Sequence, residues 1–146
     1  MNIERVYHPP GFTDRVLQVL VEHGVRPVEW GPGLYNCAAV PARVLRQIAS
    51  LLPREQLDDA WNGRPAFRAF LKVASRVSSA KFDLLVVTKE RPDERVTVYA
   101  AWLPLSRPPT LKWSLDTLWL NASAAGPSRV DVLYAWGRYY LYLYWD

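Results

Sequence analysis

Two periodicities divide the chain. Up to about residue 79 apolar side chains recur every three or four positions, and from Phe82 onward they alternate with polar ones. These are the marks of half-buried helices and half-buried strands. His8-Pro-Pro-Gly11 interrupts regular structure; Thr13 then stands where an N-cap belongs, and Gly24 stops a helix predicted over 13–23 on the face of Val16, Leu17 and Leu20. Val25 to Trp30 and Leu34 to Val40 flank Gly31-Pro-Gly33, which predicts a hairpin. Pro41 suits a first helical turn, and Val44, Leu45, Ile48, Leu51 and Leu52 extend a second helix that ends before Pro53. A short helix over 54–61 and a break at Asn62-Gly63 precede a third helix over 64–78, with Phe67, Phe70, Leu71, Ala74 and Val77 as its apolar stripe.

In the second half, Phe82 to Lys89 and Arg95 to Leu103 predict a hairpin around the charged turn Glu90 to Glu94. Leu111, Trp113, Leu115, Thr117 and Trp119 alternate with Lys112, Ser114 and Asp116, predicting a further strand before a loop at 121–128. Arg129 to Ala135 and Arg138 to Trp145 form a last pair around Trp136-Gly137. Helices followed by strands indicate an α+β fold: one domain over 1–146, with helices and a short hairpin in 12–79 and antiparallel strands in 82–145. The expected sheet has about five strands, mainly antiparallel, with the N-terminal and central helices packed on one face.

Charge adds a second pattern. Arg64, Arg68, Lys72 and Arg76 follow one another at four-residue intervals, about 6 Å apart along a helix, and no acid lies between Asp59 and Asp83. Arg43 and Arg46 fall in another acid-free stretch, between Trp30 and Arg54. The net charge of +4 and pI near 9.4 make an anionic partner plausible. Aromatics reach 13%, with seven Trp and eight Tyr, more than a small core needs. In the last strand Arg138, Tyr140, Tyr142 and Tyr144 project to one side and Tyr139, Leu141, Leu143 and Trp145 to the other.

Candidate catalytic chemistry is sparse. Cys37 is the sole cysteine, which excludes an intrachain disulfide and a multi-cysteine zinc site. A nucleophile pair of Cys37 with His8 or His23 is disfavoured because Cys37 sits in a strand pattern and His23 suits a helix C-terminus. Asp83 with Glu94 is the one carboxylate pair that could serve a metal-dependent nuclease. Arg95 and Val96 follow Glu94, so the acid-x-lysine element of nuclease strands is missing, and a solvated hairpin tip is the preferred reading. The expectation is a protein without enzymatic activity, cofactor or metal. With no signal-like apolar run and no bilayer-length segment, it is expected to be soluble, cytoplasmic and independent of membranes.

Cations that follow phosphates and rings that stack on bases are together the requirements of single-stranded nucleic acid. Duplex DNA would call for base-reading polar groups, and the basic helix has no Asn or Gln. The sequence therefore predicts a binder of single-stranded DNA, with RNA as an alternative, and little sequence preference. Arg43, Arg46, Arg64, Arg68, Lys72 and Arg76 would hold phosphates; Trp61, Tyr140, Tyr142 and Tyr144 would stack. The alternative is an interaction or oligomerisation module using the tyrosine face or a free sheet edge.

The layout of N-terminal helices, a basic middle and an aromatic antiparallel sheet without a five-stranded barrel pattern resembles the ThermoDBP-related single-stranded DNA-binding proteins of hyperthermophilic archaea. Fourteen Arg against four Lys and three Gln are compatible with a thermophile. The resemblance covers general organisation rather than matched positions. It implies binding in basic clefts edged by aromatics between subunits of a homo-oligomer. The long C-terminal helix that could drive a coiled-coil assembly is missing here.

Overall fold

The computed structural model describes residues 6–61, 63–120 and 126–146. The start of the chain, Asn62 of the expected break, and residues 121–125 of the expected loop lie outside the described residues. Gly11, at φ +89°, turns the chain into helix α1, Phe12–Glu22. Its N-cap is therefore Gly11, not Thr13. The cap is supplied from across the fold: Glu94 accepts bonds from Gly11 N (2.7 Å), Thr13 N (3.2 Å) and Thr13 Oγ1 (2.6 Å). His23 is the C-cap and Gly24 follows at φ +78°, as the spacing predicts.

Strands β1 (Val28–Gly31) and β2 (Leu34–Pro41) form the first hairpin. Helix α2, Ala42–Ala49, follows Pro41, and a 3-10 turn spans Arg54–Asp58. Helix α3 covers Phe67–Arg76. Arg64 precedes it by a turn that contains Pro65, so the four-cation stripe loses its first member. Strands β3 (Lys81–Val87) and β4 (Arg95–Pro104) pair antiparallel.

The expected strand at 111–119 is a helix. Helix α4 spans Pro108–Leu115 and continues as a π-helical turn, Asp116–Leu120. Pro108 and Pro109 occupy its first positions, where a missing N–H is harmless. Leu111, Leu115 and Leu118 also satisfy helical spacing, and Leu118 is fully buried. Ser114 and Thr117 donate to the carbonyls of Thr110 and Trp113, four residues back. A period of two shared two of its members with a helical repeat, and packing chose the helix.

Strands β5 (Arg129–Ala135) and β6 (Arg138–Tyr144) complete the sheet. It has six strands, not about five, all antiparallel in the order β1-β2-β3-β4-β6-β5, because the first hairpin joins the later strands. Strand β6 reaches only Ala100–Pro104 of β4. The open edge beyond is closed by the Gln56 carboxamide, which bonds both Val96 N (3.0 Å) and Val96 O (2.8 Å). Phe70 of α3 packs edge-on against Phe82 of β3 and Trp145 at the end of β6. Val73, Ala74, Leu84, Val98, Leu103 and Leu143 fill the same core. Tyr140, Tyr142 and Tyr144 alternate with Leu143 and Trp145, so they face away from α3.

Candidate functional site

The face opposite α3 carries two aromatic clusters, one of them packed on a buried carboxylate. Asp83 accepts bonds from Ala39 N (2.8 Å), Trp102 Nε1 (3.1 Å) and Tyr142 Oη (3.1 Å). Burial raises its pKa, against the pull of those three donors. Ala39 sits at φ +54° in an irregularity of β2, so Asp83 holds a backbone conformation that L-residues rarely adopt. Trp102 packs against Tyr142, Tyr140 and Trp136, and Tyr99 against Tyr144 and Trp30. Tyr140 is only 3% exposed, so its ring offers no stacking surface, while Tyr142 and Tyr144 present partial edges.

Positive charge gathers at one end of the sheet. There α3 turns into β3, β4 leaves for α4, and the β5–β6 turn closes. Arg76, Arg107 and Arg138 line a cleft of about 340 Å³ together with Ser78, Ser79, Ser106 and Thr110. Among the described residues none of the three arginines pairs with a carboxylate. The Arg76 guanidinium also lies over the Trp113 ring, 4.2 Å from its centroid. That stack borders a shallow, mostly apolar depression lined by Arg68, Leu71, Lys72, Ser75, Arg76 and Trp113. On the other flank Lys81 Nζ stands 5.0 Å over the exposed ring of Trp136. At the far end of β3 and β4 the charges balance: Glu90, Asp93 and Glu94 lie among Lys89, Arg91 and Arg95, which pair with Asp14 and Asp93.

No protein-family model, curated protein or solved structure matches this chain. The site therefore rests on its own geometry.

The predicted binding residues do not share one surface. Arg64 is 8% exposed, donates to Thr97 Oγ1 (3.2 Å) and is depressed in pKa by burial and by the neighbouring Arg95. Arg68 is held by Asp58 at 2.6 Å, a bond that keeps the Asp58 carboxyl below the usual range. Lys72 and Arg76 remain at the basic end. Arg43 and Arg46 are exposed on α2, which does not line the cleft. Trp61 packs edge-on to Tyr7 and lies under the Arg95 guanidinium, beside the buried Arg64. A single groove uniting the α3 cations with the β6 tyrosines is ruled out within one copy, because α3 and those rings take opposite faces of the sheet.

Arg107, Arg138, Lys81, Trp113 and Trp136 were missed. Arg107 sat in an apparent linker, Arg138 in a strand pattern and Trp113 in a strand that is a helix. Their one sequence-level signal is the absence of nearby acids around Arg107. The catalytic candidates also resolve: Cys37 is fully buried, its thiol pushed up to about 12 by desolvation. Asp83 and Glu94 bind different partners on different parts of the fold, and no trio of His, Cys, Asp or Glu converges among the described residues.

Proposed function

We propose that this protein binds single-stranded nucleic acid, DNA or RNA, without sequence preference, at the basic end of its sheet. Arg76, Arg107 and Arg138 take phosphates in the cleft, with Lys72 and Lys81 extending the track on either flank. Trp113 and Trp136, each already beneath a cation, supply faces for bases. The strand passes around the sheet end, between the face that α3 covers and the aromatic one. One observation carries the reading: three arginines without carboxylate partners among the described residues converge on one hydroxyl-lined cleft, and one of them, Arg76, lies over Trp113. Solubility alone does not call for convergence, whereas a chain of phosphates does.

The test is fluorescence anisotropy with single- and double-stranded oligonucleotides at two salt concentrations, with tryptophan quenching followed in parallel. Single strands should bind more tightly and quench. Arg107→Ala combined with Arg138→Ala should weaken binding by about tenfold or more on every sequence alike, and Arg64→Ala should leave affinity unchanged in folded protein. Binding that ignores salt, or that survives the double substitution, overturns the assignment.

A further inference from the structure

Strand β5 is an open sheet edge: among the described residues nothing pairs with its outer side. The opposite edge, β1, is four residues long, carries a register irregularity between Glu29 and Gly31, and is flanked by Pro27 and Pro32, all of which obstruct pairing. Strand β5 has seven residues, no proline and an uninterrupted register against β6. Val130, Val132 and Tyr134 are 47%, 60% and 64% exposed on one face of it, and Tyr139, opposite Tyr134, continues that patch.

The backbone of the same residues is free to pair. Tyr139 O accepts from Leu105 N, and Trp145 N donates to Tyr99 O, so odd-numbered residues of β6 turn their peptide groups toward β4 and even-numbered ones toward β5. The β5 residues opposite the even ones, among them Asp131, Leu133 and Ala135, therefore bond inward. Val130, Val132 and Tyr134 aim their N–H and C=O groups outward.

We propose that β5 pairs antiparallel with β5 of a second copy of this chain, about a two-fold axis at Val132, joining the two sheets. This register sets Val130 opposite Tyr134 of the second copy and Val132 opposite itself. All three outward-facing residues on each copy are then hydrogen-bonded. An axis at Leu133 satisfies only two of them, and one at Asp131 opposes two carboxylates. The edge suits its own copy electrostatically as well: Arg129 neutralises Asp131 on the same strand (2.5 Å), so two chains of net charge +4 meet at an uncharged surface. Two seven-residue strand edges make a small contact, below the size of stable interfaces, which makes the dimer weak and reversible. The inference is independent of the basic cleft.

Sedimentation velocity over a concentration series tests it. Wild-type protein should pass from monomer to dimer, and Val132→Lys should raise the half-dimer concentration by about tenfold or more with an unchanged circular dichroism spectrum. Paired Cα atoms at Val132 would stand about 5.5 Å apart, within disulfide range, while those of Asp131 would exceed about 7 Å. Val132→Cys should then cross-link under mild oxidation faster than Asp131→Cys. A monomer at every concentration, a dimer indifferent to Val132→Lys, or faster linkage at position 131 overturns the proposal.

Discussion

At the scale of single residues, Asp83 carries the clearest consequences. Its folded-state pKa is raised, first by burial, so the native state holds the proton more tightly than the unfolded chain. Asp83 therefore favours folding most below the ordinary carboxylate pKa of about 3.9, and that contribution is lost as pH rises through its own higher pKa. Asp83→Asn keeps an acceptor for Ala39 and Trp102 and removes the titration. In urea denaturation its stability relative to wild type should be greater at pH 7 than at pH 4. Asp83→Ala should lose about 3 kcal/mol or more at both, because a backbone N–H, an indole N–H and a phenol are orphaned in a buried site. An alanine variant as stable as wild type would show that these bonds contribute little. Residue identities were plain in the sequence, yet Asp83 and Glu94 read as a solvated hairpin tip, with a metal pair as the lesser alternative, and both are buried; the three donors to Asp83 come from β2, β4 and β6, which no local pattern connects.

At the scale of elements, α1 depends on a cap from another part of the chain. Glu94 is buried and accepts from Gly11 and Thr13, more than 80 residues away in sequence. Glu94→Ala should destabilise the protein by about 2 kcal/mol, a lost cap together with orphaned donors. Hydrogen exchange should accelerate in the first turn of α1 while α3 keeps its protection; uniform acceleration across both helices would contradict a local cap. The same contrast explains α4. A run that alternates over five positions matches a strand locally, but the prolines at its start suit a first helical turn and burial of Leu118 favours the helical spacing of Leu111, Leu115 and Leu118.

At the scale of the whole molecule, the two ends of the sheet differ in pairing: among the described residues Arg76, Arg107 and Arg138 have no carboxylate partner at one end, whereas Lys89, Arg91 and Arg95 at the other pair with Asp14 and Asp93. Single-strand affinity should fall with salt at a log–log slope of about −2 to −3.5, as expected for three to five neutralised phosphates, and Arg107→Ala should reduce that slope by about 0.7. An unchanged slope would place the phosphates elsewhere. The α+β class, the hairpins, α1 to α3 and the excess of cations and rings were all determined by the sequence, because each depends on spacing along a few turns or strand positions. Tertiary structure alone decided which charges are buried, paired or gathered. It buried Arg64, paired Arg68, sealed Tyr140, and brought Arg76, Arg107 and Arg138 together from three separate elements. Strand order and helix docking set those distances, and they arise from packing between residues far apart in the chain, which leaves no periodic trace in the sequence.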